Sequence, residues 1–224
     1  PTWSLLNYGT GANHHTPEER HGHSSMVYND ALIIFGGFDG SKKNDTWTYD
    51  LNNNTWNKLT TSGTPPSPRA YHSAVLYDSD KMIVFGGDDE IKKNDVWTLD
   101  LTTNAWNLVT TTGTAPSARA YHSVILYGDK MIVFGGDDGS KKNDVWTLDL
   151  TTNAWNLVTT TGTAPSVRFA HSSMLLGDDM IIFGENDGNS NTDAWRLNLT
   201  SYEWSNTLAT VSYTHLRAHE TVDY

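Results

Sequence analysis

The sequence predicts an all-β protein assembled from four copies of one four-stranded unit, set around an axis as the blades of a propeller. Three observations predict it. Arg20, Arg69, Arg119 and Arg168 recur at spacings of 49, 50 and 49 residues, and His23, His72, His122 and His171 follow each of them by three. Tryptophans keep the same period as Trp47, Trp97, Trp146 and Trp195, and a second follows each by nine residues: Trp56, Trp106, Trp155 and Trp204. Between these marks lie short runs of β-branched and aromatic residues bounded by Gly, Asn, Asp and Thr, the pattern of brief strands and turns. A period of this length marks an array whose units bury their faces against one another.

Within the second unit, His72 to Tyr77 reads as strand a, Lys81 to Phe85 as b, Asp95 to Leu101 as c and Ala105 to Val109 as d. The b strands, Leu32-Ile33-Ile34-Phe35, Met82-Ile83-Val84-Phe85 and Met131-Ile132-Val133-Phe134, are continuously apolar. That is the composition of a strand covered on both faces. In strand c, Trp97, Leu99 and Leu101 share one face. A hairpin turning at Thr102 to Ala105 would set Leu101 opposite Trp106 and Leu99 opposite Leu108, lining one face with large side chains.

The double glycine ending strand b, the Asn-Asp-x-Trp entering strand c, the second tryptophan nine residues on and the Pro-x-x-Arg-x-x-His-Ser before the next strand a resemble the kelch-repeat family. The resemblance covers roughly residues 1 to 210 and repeats four times. It departs in the fourth unit, where the double glycine becomes Gly184-Glu185 and Asn189-Ser190-Asn191 replaces the paired lysines of the preceding loop. The resemblance implies a β-propeller of four four-stranded blades plus one extra strand, an incomplete piece of a larger propeller. It also implies a protein-binding scaffold.

The organisation expected is a strand d of an upstream blade with its loop at 1–19, blades at 20–68, 69–118, 119–167 and 168–210, and a tail at 211–224. Trp3 marks the extra strand. The tail reads Val-Ser-Tyr-Thr-His-Leu-Arg-Ala-His-Glu-Thr from Val211 to Thr221 and breaks the repeat just after the last strand d. It resembles the translation of a transposase mosaic-end sequencing adaptor, so 211–224 is read as non-native and left out of the fold.

Composition bounds the partners. Fifteen Lys and Arg against 26 Asp and Glu give a net charge of −11. With no run of basic residues longer than two, this disfavours nucleic acid and anionic membrane surfaces. Runs such as Ala31 to Phe35 are far short of a membrane span. There is no cysteine, hence no disulfide, thiolate metal site or cysteine nucleophile. The absence of cysteine and of a signal-like segment favours a cytoplasmic setting. Asn44, Asn53 and Asn198 sit in N-x-[ST] sequons, frequent by chance.

Catalysis is the alternative, in the form of an epimerase-like or metal-dependent kelch enzyme whose catalytic blade lies outside this sequence. The copper-radical oxidases of similar fold need a tyrosine cross-linked to cysteine. The iron-dependent specifier type needs Glu, Asp and His at four-residue spacings, and Glu90, Glu185 and Glu203 are followed at that distance by Asn94, Asn189 and Thr207. The densest metal-ligand cluster, His14, His15, Glu18, Glu19, His21 and His23, reads as a solvated loop. The repeated histidines read as hydrogen-bonded frame residues, and Asp137-Asp138-Gly139 and Asn186-Asp187-Gly188 as turns lacking the ligand spacing of a calcium loop. No cofactor or metal is expected.

Units two and three weigh further toward binding. From Lys81 to Arg119 and from Lys130 to Arg168 they differ only at Glu90-Ile91 against Gly139-Ser140 and at Ala118 against Val167. Catalysis needs different groups at different points, whereas copies suit a repeated binding surface or a recently expanded scaffold; duplication too recent to have been shaped by any function is the alternative. The b–c and d–a loops (Asp88 to Asn94, Thr110 to Arg119) emerge on one side as the long loops. Turns such as Gly128-Asp129 emerge on the other. The expected partner-binding residues are therefore Asp88, Asp89, Lys92 and Lys93, with their copies Asp137, Asp138, Lys141 and Lys142. Arg69, Arg119 and Arg168 either join them as a basic ring or pair with nearby aspartates and lock their loops.

Overall fold

The computed structural model describes residues 16–184 and 193–206, whose regular structure is entirely β. The strand expected around Trp3, the His14 and His15 part of the histidine cluster, the loop 185–192 and the segment 207–224 with its expected tail lie outside the described residues. The first sheet is β1 (Ser24–Tyr28), β2 (Ala31–Phe38), β3 (Lys42–Asp50) and β4 (Thr55–Lys58), antiparallel and in chain order. A two-residue β5 (Ser62–Gly63) precedes the second sheet, β6 (Ser73–Tyr77), β7 (Lys81–Asp88), β8 (Lys92–Asp100) and β9 (Ala105–Val109). The third is β10 (Ser123–Tyr127), β11 (Lys130–Asp137), β12 (Lys141–Asp149) and β13 (Ala154–Leu157). After β14 (Thr161–Gly162), the fourth is β15 (Ser172–Leu176), β16 (Asp179–Phe183), β17 (Ala194–Asn198) and β18 (Glu203–Asn206). The first strands of the blades, β1, β6, β10 and β15, lie side by side in that order.

The blades are laced together by backbone as well as by packing. After its last strand each chain segment adds a parallel rung to the outer strand of the next blade: β5 on β9, Thr112 on Ala154, and β14 on β18. This explains the glycine in each Thr-x-Gly linker. Gly63 has φ of +73°, and a Cβ there would stand 2.4 Å from the carbonyl oxygen of Trp106. No side chain fits between strand and rung.

Each blade has a trailing face, packed on the next blade, and a leading face, packed on the one before. Between the second and third blades, Val75, Ile83, Phe85 and Val96 meet Met131, Val133, Trp146, Leu148 and Trp155. The same arrangement joins the first to the second and the third to the fourth. The apolar b strands are accordingly buried on both sides: Met82, Ile83, Val84 and Phe85 are all nearly inaccessible. Trp106, Trp155 and Trp204 are 2–3% exposed, against Phe35, Phe85 and Phe134 in strand b of the preceding blade at 4.8–5.2 Å between ring centroids.

The c–d register differs from the one expected. Leu99 stands opposite Trp106 and Trp97 opposite Leu108, two residues out from the Leu101–Trp106 pairing. The four-residue turn lies one residue earlier, at Leu101 to Asn104, where Asp100 accepts hydrogen bonds from the backbone N–H groups of Thr102 and Thr103 while Asn104 takes φ of +57°. An aspartate capping the turn fixes where it falls. Leu101, freed from the ladder, packs into the junction, and Leu108 is exposed.

The repeated histidines also belong to the junctions. His72, His122 and His171 pack edge-on against Phe35, Phe85 and Phe134 of the preceding blade at 4.9–5.1 Å. Nε2 of His72 shares a hydrogen bond with Ser24 Oγ at 2.9 Å, and that of His171 with Ser123 Oγ at 2.8 Å. At His122, Ser73 of the second blade instead donates to the histidine's backbone carbonyl. Burial, reinforced by the neighbouring arginine, pushes His72 and His122 down to about 3 and His171 down to about 4. All three are neutral in the folded protein near pH 7.

Two outcomes follow from this packing. Trp106→Ala should cost about 3–5 kcal/mol by urea unfolding, whereas Trp56→Ala, at a half-buried position with no blade before it among the described residues, should cost clearly less. Equal losses would remove the junction as the cause. The histidines give the second. Protonation in the unfolded chain begins near its ordinary pKa of 6.5, while the folded state resists it down to about 3–4. Stability is therefore full above pH 6.5 and falls as pH is lowered. The slope should be about 1.4 kcal/mol per pH unit for each histidine. Thermal unfolding between pH 7.5 and pH 4.5 should show it, and His122→Asn should make that slope shallower.

Candidate functional site

The residues that make the repeat recognisable converge on one construction, set where each d–a linker meets the b–c hairpins. Strand b does not stop at its phenylalanine, as the sequence suggested. It runs on to Asp88 and pairs with Lys92, so the expected long b–c loop is a short hairpin tip with a bulge below it. The bulge falls at Gly86, which opposes Asn94 and Asp95 together, and it turns the Gly86 carbonyl aside. Arg69 enters at that point. Its Nη1 donates to Gly86 O at 2.9 Å and to Asp95 Oδ1 at 2.7 Å, its Nη2 to Asp95 Oδ2 and Ser67 Oγ, and its Nε to Ser67 O. All five guanidinium donors are engaged.

The same set recurs at Arg119 with Asp144, Gly135 and Ser117 and at Arg168 with Asp193, Gly184 and Ser166. Arg20 repeats it with Asp45 and Gly36, but Glu18 replaces the serine and only its backbone carbonyl accepts. Burial pushes the Asp95 and Asp144 carboxyls up, but the bonds from arginine and from the Trp97 and Trp146 indoles outweigh it and hold both below the usual carboxylate range. The double glycine is needed because the next arginine's backbone lies against it. Gly87 N donates to Arg119 O at 2.9 Å, and a Cβ on Gly86 would come within 2.8 Å of that oxygen. Asn94 Nδ2 donates to Pro116 O of the following linker at 3.1 Å. Asn44 and Asn143 do the same to Pro66 and Pro165.

This geometry corrects the partner-binding list. Arg69, Arg119 and Arg168 are 0% exposed, and a guanidinium with five satisfied donors has nothing to offer a partner. They lock the linkers. The sequon at Asn44 is likewise spent on the frame.

The eight charged residues expected at the site lie at the b–c hairpin tips, and all but Lys141 take part in ion pairs. Lys42 reaches into the second blade to Asp88 at 2.5 Å, and Lys92 reaches into the third to Asp137. Asp89 accepts from Lys93 and Ser67, and Asp138 from Lys142 and Ser117. Hydrogen bonding to Lys92 first, against burial, holds Asp137 below its ordinary range, and Asp138 is lowered further still. Lys141 is not in a carboxylate pair among the described residues; its ammonium lies over the Phe169 ring, 5.4 Å from the centroid.

Inside this charged rim runs a line of aromatic rings that the sequence did not single out. Phe38 meets His21 at 5.4 Å, His21 meets Tyr71 at 5.8 Å, Tyr71 stacks on Tyr121 at 4.0 Å, and Tyr121 meets Phe169 at 5.7 Å. Tyr71, Tyr121 and Ala170 hold φ near +58°, where Gly22 stands in the first blade. Backbone bonds run from Tyr71 N to Gly22 O, Tyr121 N to Tyr71 O and Ala170 N to Tyr121 O. With the buried histidines they line a cleft of about 320 Å³. The signal was present as Arg-Ala-Tyr-His, but the aromatic moves one place in Arg-Phe-Ala-His, which hides it from a column-by-column reading.

Among the described residues no group of three or more His, Asp or Glu is placed to hold a metal ion, and no helix is long and apolar enough to cross a membrane. Compared with known proteins, the chain is 41% identical over 64 residues to human Host cell factor 1, covering 26% of this chain and 3% of that one. It is 37% identical over 62 residues to the Drosophila melanogaster Leucine-zipper-like transcriptional regulator 1 homolog, covering 27% and 6%. It is 35% identical over 79 residues to Acyl-CoA-binding domain-containing protein 5 of Arabidopsis thaliana, covering 34% and 11%. The chain thus matches only a small part of each of these longer relatives. The model of the KLHDC2/KLHL20/DRC7 kelch-repeats domain matches residues 22–222, and the chain belongs to that kelch-repeat family.

Proposed function

We propose that this kelch-type interaction module receives its protein partner on the face carrying the b–c hairpin tips, with the aromatic line at the centre and the Asp/Lys network as its rim. The observation that carries the reading is the division of labour within the repeat. Arginines, histidines and tryptophans are consumed by the frame, while Tyr71, Tyr121 and Phe169 keep part of their rings accessible on that one face. An aromatic centre inside a polar rim is the anatomy of a binding hot spot. The rim charges, Asp88, Asp89, Lys92, Lys93, Asp137, Asp138, Lys141 and Lys142, are largely paired already, so they would orient a partner more than attract it.

Lysines on both faces make the reading testable. Amine-reactive cross-linking of the whole chain to co-purifying protein, mapped by mass spectrometry, should place links at Lys92, Lys93, Lys141 and Lys142. Links confined to Lys81 and Lys130, on the short-turn side, would overturn it. For a partner found this way, Tyr121→Ala should weaken binding by about tenfold or more with thermal stability unchanged, since Ala170 already holds the equivalent conformation. Binding should vary little with salt, because paired charges steer weakly.

A further inference from the structure

Between the first and second blades a groove of about 300 Å³ opens on the short-turn side, at the end of the β2–β3 ladder away from the hairpin tip. It lies on the trailing face of the first blade, so both of its walls are blades already described. Ile33, Leu59 and Leu101 make an apolar floor. Around that floor stand the carboxylates of Asp30 and Asp50, the amides of Asn57 and Asn104, and the Tyr28 hydroxyl.

The other junctions carry a cation at this place. Ala31 stands opposite Asp50 in the ladder, where the next two blades set Lys81 opposite Asp100 and Lys130 opposite Asp149. Lys81 and Lys130 line the corresponding grooves, whereas no lysine or arginine among the described residues lines the first. Tyr28 departs in the same way. Tyr77 and Tyr127 donate across their junctions to Asp129 and Asp178. Asp80 is the counterpart of these aspartates, since its carbonyl accepts from Leu101 as theirs do from Leu150 and Leu199. Its carboxylate is held instead by Lys81 at 3.0 Å, and among the described residues Tyr28 bonds to no carboxylate and Asp30 is in no ion pair. Asp50 is ionised at neutral pH, because N–H bonds from Asn53 and Asn52 hold its carboxyl below the usual range. Its Oδ2 accepts only one of them, from Asn53 Nδ2, and has room for another donor.

We propose that this groove receives an arginine side chain of a protein partner, at a second site separate from the aromatic face. The stem of that side chain would lie along Ile33, Leu59 and Leu101, as long cationic side chains cover apolar surface while their heads stay polar. Its guanidinium would reach the Asp30 and Asp50 carboxylates, supplying from outside the charge that Lys81 and Lys130 supply in the next two blades. Charge selects a cation, because two carboxylates border an apolar trough that brings no counter-charge of its own. Shape selects arginine over lysine. A planar fork of five donors suits carboxylates, asparagine carbonyls and a phenol oxygen together, whereas an ammonium has three donors and is more strongly hydrated.

An amide NMR titration of the full 224-residue chain with N-acetyl-arginine amide reads the site. Saturable shifts should appear at Ala31, Asn57 and Asn104, with a Kd on the order of 1 mM for a ligand of this size. N-acetyl-citrulline amide, of similar shape but uncharged, should bind at least about tenfold more weakly. Two substitutions with precedents in the repeat test the residues. Ala31→Lys restores the lysine of the next two blades, and Asp50→Asn keeps the turn cap, as Asn198 caps the turn of the fourth blade. Each should weaken arginine binding at least about fivefold with an unchanged melting temperature. No saturable shift, equal binding of citrulline, tighter binding of N-acetyl-lysine amide, or arginine binding unchanged in either variant would each overturn the proposal. The groove lies at the other end of the blades from Tyr71 and Tyr121, so none of these outcomes bears on the aromatic face.

Discussion

The buried arginine–aspartate pair, repeated at the base of every blade, is the interaction on which the rest of this structure depends. Removing a guanidinium from water is costly and is tolerated only when charge and hydrogen bonds are both answered. Here the answer needs an aspartate on strand c, a strand-b carbonyl freed where strand c bulges opposite it, and the serine of the linker. Each of those is fixed by something further: the aspartate by the tryptophan indole, the bulge by glycine, the linker by an asparagine of the preceding blade. Because the arginine's carbonyl bonds to the double glycine of the blade before it, one residue closes its own blade and joins it to its neighbour.

That coupling explains why the arginine, the first glycine, the aspartate and the two tryptophans recur in every blade. A change at the arginine, either glycine, the Asn-Asp pair or the tryptophans would leave a buried charge or donor unanswered. Freedom remains at the hairpin tips, where Glu90-Ile91 stands against Gly139-Ser140, and at the two residues after each arginine. Those places also carry the exposed chemistry of the face.

Charge on that face is managed by pairing from blade to blade. Lys42 and Lys92 each cross a junction to an aspartate, so the net −11 of the chain does not appear there as an acidic field. Histidine burial works in the same direction, leaving neutral imidazoles beside the arginines. What faces outward at the centre is aromatic, and recognition there would be read by shape and stacking more than by charge.

Much of the architecture was legible in the sequence because periodic spacing and binary pattern are local properties. The period gave the number of units, and the unbroken apolar runs gave the doubly covered strands. The roles of the repeated polar residues were not legible. Arg69 and Asp95 are 26 residues apart, and nothing in the spacing says whether a guanidinium points at its own blade or at solvent. The c–d register was misplaced because Asp100 caps the turn and fixes where it falls, through a few hydrogen bonds that pattern does not weigh. The aromatic line was missed because its members come from different columns of the repeat and meet only when the blades are stacked. The sequence by itself determined a four-unit all-β array; the tertiary structure decided which repeated side chains are sealed inside and which remain for a partner, because burial is a property of neighbours brought together across the junctions.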